Sequence, residues 1–127
     1  MLTLTGSVRV FVCTQPTDMR RSFDGLCGMV QGVVEQDPLS GHLFVFRNRN
    51  RDRLKILYWD RDGMAIWCKR LESGTWQFPT DLRRRAEADS VAGGAEISRE
   101  ELSLLLGGID LRSVERRRRY QRPHKPR

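Results

Sequence analysis

A chain of 127 residues, 39% hydrophobic and 31% charged, is large enough for one small domain and too apolar for wholesale disorder. Its net charge of +7 resides in residues 112–127, where seven Arg and one Lys face one Glu; residues 1–111 balance 15 basic against 15 acidic groups and give no general reason to coat DNA. Three well-separated cysteines without a CxxC pair, no secretory signal and no run near the ~18 apolar residues of a membrane span point to a cytoplasmic setting with free thiols.

The β-branched run Val8–Cys13, bounded by Gly6 and Pro16, predicts a buried first strand. Residues 15–21 follow as a polar loop. Phe23, Leu26, Met29, Val30, Val33 and Val34 then form a helical stripe, with Ser22 or Asp18 as cap and Pro38 as terminator. Gly28 and Gly32 share one face of that helix and predict a close approach to a sheet. The stretch from His42 to Glu72 reads as a meander. Its strands are Leu43–Phe46, Leu54–Trp59 and Met64–Leu71; its turns are the polar run Arg47–Arg53 and Asp60-Arg61-Asp62-Gly63, with an Asp-Gly hairpin signal. Residues 75–78 add a short edge strand, stopped by Pro79.

Residues 80–96 mix charge, alanine and glycine without periodicity and read as a linker. Ser98, with Glu101 three residues later, is a capping box that opens a short helix, stopped at Gly107-Gly108. The expected organisation is thus a core over 1–79, a linker over 80–96, a C-terminal helix over 97–111 and a disordered basic tail over 112–127. The fold class is α+β: a small antiparallel β-meander with one helix packed on the sheet and a short C-terminal helix.

No catalytic constellation stands out. Asp60 and Asp62 are close enough to hold Mg²⁺ in a metal-dependent nuclease, but Asp and Gly also populate hairpin turns for backbone reasons alone, and that preference dominates. His42 and His124 have no ligand partner at metal spacing, so neither a metal nor another cofactor is expected. Cys13, Cys27 and Cys68 read as small buried hydrophobes, and Tyr58, Trp59, Trp67 and Trp76 as packing rather than base-stacking groups.

Two basic features remain. Arg47, Asn48, Arg49, Arg51, Arg53 and Lys55 form an alternating run in which cations could track phosphates and Asn could read adenine edges. The same run also suits a solvated turn whose charges keep a sheet edge from aggregating. Arg116, Arg117, Arg118, Arg119 and Arg122 would give salt-sensitive attraction to nucleic acid, or simply a soluble tail.

Phe44-Val45-Phe46-Arg47-Asn48-Arg49, Arg53-Leu54-Lys55-Ile56-Leu57-Tyr58-Trp59-Asp60, Asp62-Gly63 and Lys69-Arg70-Leu71-Glu72 follow one another in fixed order. Val10-Phe11-Val12, Pro16-Thr17-Asp18-Met19-Arg20 and Gly25-Leu26 precede them, and Leu102, Leu105-Leu106 and Gly108-Ile109-Asp110 follow. This series resembles the small TnpB-type accessory protein of bacterial transposable elements, the insertion sequence 66 family. The resemblance implies an accessory protein that assists DNA transposition; the first expectation is a non-enzymatic factor that binds DNA, the transposase or both, and the alternatives are a metal-dependent nuclease component using Asp60 and Asp62 or a pure protein-interaction module. The expected partners are DNA of the mobile element, from the basic residues, and the larger transposase that the resemblance places beside it. The family supplies no agreed catalytic residues. No membrane partner is expected, and the exposed edges of a meander leave room for a sheet-mediated homo-oligomer.

Overall fold

Val10–Cys13 is buried at every position, so this strand has no wet face. An apolar run of that kind needs cover on both sides. The computed structural model describes residues 7–89 and 93–107. Its strands are β1 (Val10–Cys13), β2 (Leu43–Arg47), β3 (Arg53–Asp60), β4 (Gly63–Arg70) and β5 (Gly94–Ile97). Its helices are α1 (Phe23–Met29), continued by a π-helical turn over Val30–Val34, then α2 (Leu82–Ala88) and α3 (Arg99–Gly107).

The five strands form one sheet in the order β4-β3-β2-β1-β5. The expected meander is present: β2, β3 and β4 pair antiparallel in sequence order. Outside it, β1 lies parallel to β2, with Val10 opposite Leu43, because α1 carries the chain back across the sheet between them. β5 pairs antiparallel with β1 and closes the far edge.

Strand alternation sorts the core into two clusters. Phe11, Cys13, Phe44, Phe46 and Leu57 point to one face, where Leu26, Met29, Val30 and Val34 of the α1 segment cover them. Val10, Val12, Leu43, Val45, Leu54 and Ile56 point to the other, under Trp76, Phe78, Leu82, Ala86, Leu102 and Leu105. The fold class is α+β as expected, with helices on both faces.

Several local expectations change. The segment 80–96 is not a linker, since it contains α2 and three of the four residues of β5. Leu82 and Ala86 make a one-turn apolar stripe, and Ala95 and Ile97 alternate into the same core; both patterns are too short to stand out in sequence. The glycines there serve packing. A Cβ on Gly94 would lie 2.7 Å from Val34 Cγ1, so only glycine lets β5 approach the π-helical turn. Gly28 and Gly32, by contrast, are exposed, and a Cβ on either would meet nothing. The α3 helix is not a separate unit, because Leu102 and Leu105 enter the shared core.

Residues 75–78 are not a strand. They form an irregular segment that lays Trp76 and Phe78 over the sheet. At the β3–β4 hairpin the left-handed residue is Arg61, at φ 58°, while Gly63 already pairs with Asp60 in the ladder. Asp62 N–H closes on Asp60 C=O at 2.6 Å, a γ-type turn. Ser22 precedes α1 but makes no side-chain cap, and the Asp18 carboxylate is engaged by Arg20 at 2.7 Å. Cys13 is buried as expected, but Cys68 is exposed on β4.

The capping box forms as expected: Glu101 N–H donates to Ser98 Oγ and Ser98 N–H to Glu101 Oε1, both at 3.0 Å. Arg85 then donates to both Glu101 oxygens at 2.8 Å and to Asp81 at 3.0 Å, fastening α3 to α2. These bonds hold the Glu101 carboxyl below its ordinary range.

Candidate nucleic-acid interface

The run from Arg47 to Lys55 is not one extended comb. Arg47 ends β2, residues 48–52 turn, and Arg53 starts β3. Asn48 shapes the turn from inside: its Nδ2 donates to Asp52 Oδ1 at 2.7 Å, and its Oδ1 accepts Arg53 N–H at 3.0 Å. Arg51 sits in the left-handed region at φ 63°, a conformation that costs a non-glycine residue roughly 1–2 kcal/mol.

Tertiary hydrogen bonds hold that conformation. Trp76 N–H donates to Arg51 C=O and Leu71 N–H to Asp52 C=O, both at 2.7 Å. Trp76 Nε1 adds a bond to Asp52 C=O at 3.2 Å. Thr17 N–H donates to Arg47 C=O at 2.9 Å and ties in the loop after β1. Trp76 itself is fully buried and packs edge-on against Trp67, centroids 6.3 Å apart. The Trp reading as packing groups therefore holds for Trp76, and its packing is what braces the turn.

The six candidates in the run divide into two groups. Arg47 is engaged: it donates to Trp76 C=O at 2.8 Å, and its guanidinium lies 4.0 Å over the Phe78 ring. Burial, and secondarily the charge of Arg51, brings its pKa down to about 10, which leaves it charged at neutral pH. Lys55 Nζ donates to Met19 C=O at 2.8 Å and Arg21 C=O at 2.7 Å, holding the loop that leads into α1. With Asn48, these are framework residues. Arg49, Arg51 and Arg53 are exposed, and their side chains make no hydrogen bond or ion pair among the described residues. Arg116, Arg117, Arg118, Arg119 and Arg122 lie outside the described residues.

Folding adds two cations that the linear reading missed. Shallow grooves of about 770 and 550 Å³ flank the turn and share Gln15, Pro16, Asn48 and Arg49. Arg21 lines the first and Arg83 the second, both exposed. Neither lies near the run in sequence: the Thr17–Arg47 bond brings in the loop after β1, and the Trp76–Arg51 bond brings in the segment that leads to α2. The result is a basic end of the sheet, presented on a braced turn.

Asp60 and Asp62 lie at the other end of β3, whose eight residues span about 24 Å. Among the described residues no group of three His, Cys, Asp or Glu side chains could hold a metal ion, and no helix is long and apolar enough to cross a membrane.

A family model described as IS66 Orf2 like protein matches residues 8–116. The chain belongs to this family. Its members are accessory proteins associated with the transposition of insertion sequences. Two relatives from Sinorhizobium fredii support the placement. The uncharacterised protein y4jC is 41% identical over 111 residues, 87% of this chain and 86% of its own length. The uncharacterised protein y4hO is 41% identical over 112 residues, 88% of this chain and 90% of its own length. No solved structure matches the chain.

Proposed function

We propose that this protein is a non-enzymatic, cytoplasmic factor that assists transposition by binding DNA of its own insertion sequence through the basic end of the sheet. Arg49, Arg51 and Arg53 make the phosphate contacts, and Arg21 and Arg83 extend the surface into the two grooves. The observation that carries this reading is the division within the Arg47–Lys55 run. Folding engages Arg47 and Lys55 and leaves three neighbouring guanidinium groups unpaired on a turn held by tertiary bonds. Arginine suits such contacts because its planar fork binds phosphate through two donors at once. The element's larger transposase is the protein with which it acts, and the family's association with transposition supports that partner.

Fluorescence anisotropy with a duplex from the element's end tests the assignment. The full chain, an Arg49→Ala/Arg51→Ala/Arg53→Ala variant and a chain lacking residues 112–127 are compared at one salt concentration. Loss of affinity in the triple variant is expected. Unchanged affinity in the triple variant, with complete loss on tail deletion, would move the function to the tail.

A further inference from the structure

β4 is the terminal strand of the sheet, eight residues long, and among the described residues nothing pairs with its outer side. A long edge strand of this kind invites another strand unless it is blunted. The hydrogen-bond phase shows which groups are offered. Leu71 N–H bonds Asp52 C=O, so residues 69, 67 and 65 turn their backbone groups inward toward β3. Met64, Ile66, Cys68 and Arg70 therefore turn theirs outward. Charge along the edge is polarised: Asp60, Arg61 and Asp62 before the strand leave one net negative charge, and Lys69, Arg70 and Glu72 at its end leave one net positive charge. Arg70 also stands directly opposite Arg53 in a pair that the same phase makes non-hydrogen-bonded, where side chains come closest. Arg70 pairs with Glu72 at 3.2 Å on the exposed surface.

We propose that a second copy of this chain pairs antiparallel along β4, with the two-fold axis at Ile66. Ile66 then faces the partner's Ile66, Met64 faces the partner's Cys68, and Asp62 faces the partner's Arg70. The opposite-charge pair occurs twice and relieves the Arg53–Arg70 contact on each side. A two-residue slip toward the strand end sets Asp62 against the partner's Glu72, which selects against that register. The two sheets become one continuous sheet with a basic turn at either side of the axis. This pairing does not rest on the DNA-binding reading.

Sedimentation velocity on the full chain is the test, with expected species at one and two times 14.8 kDa. Wild-type protein is expected to dimerise with rising concentration. Arg70→Asp and Asp62→Arg each put like charges opposite one another twice, and each raises the dimer Kd by about tenfold. Mixing the two variants restores complementary pairs on both sides and restores the dimer. A wild-type chain that stays monomeric at every concentration would overturn the proposal, as would a dimer indifferent to both substitutions. Circular dichroism establishes that each variant is folded.

Discussion

The two turns at the ends of β3 are built from similar residue types and have different standing in the fold. The Asp60–Gly63 turn is closed by its own short bond and carries its carboxylates into solvent. The turn between β2 and β3 is held by Thr17, Leu71 and Trp76 from three other parts of the chain, and it keeps Arg51 in a left-handed conformation. A turn needed only for reversal can rely on local geometry. One that must present several like charges at fixed spacing needs outside bracing, because the charges repel and the chain would otherwise relax.

The largest expected effect comes from removing the brace. Trp76→Ala should lower unfolding free energy by about 3–5 kcal/mol in urea titration, since it deletes a fully buried indole and the ring donor to Asp52. Asn48→Ala should cost about 1–2 kcal/mol, because the Asp52 carboxylate and the Arg53 N–H lose their partner. Arg51→Gly sharpens the contrast in the opposite direction. It should raise stability by about 0.5 kcal/mol, as glycine accepts the left-handed geometry, while weakening DNA binding by loss of a cation. At the other turn, Asp60→Asn should change stability by less than about 0.5 kcal/mol and leave transposition frequency unaltered. Loss of transposition with Asp60→Asn would revive a metal-dependent role for that end.

Much of this contrast was legible beforehand, and its limits have physical causes. The meander, the α1 stripe and the Ser98–Glu101 capping box are local patterns, and each appears where its periodicity or spacing places it. The parallel β1–β2 pairing, α2 and β5 depend on contacts between distant segments, and two apolar residues per element leave little trace in sequence. The Arg47–Lys55 run stands out in sequence, but which cations are engaged follows from Trp76, Phe78 and the loop after β1. Arg83 does not stand out in sequence because its neighbourhood has the composition of a linker.

Under the proposed function, Arg49, Arg51 and Arg53 at the β2–β3 turn neutralise DNA phosphates. Its most direct test is the salt dependence of duplex affinity for the full chain and for Arg49→Ala/Arg51→Ala/Arg53→Ala. Each phosphate contact contributes about 0.9 to the slope of log affinity against log salt. A slope shallower by about 2.7 in the triple variant is the expected result. A slope equal to that of the wild-type chain would contradict the claim.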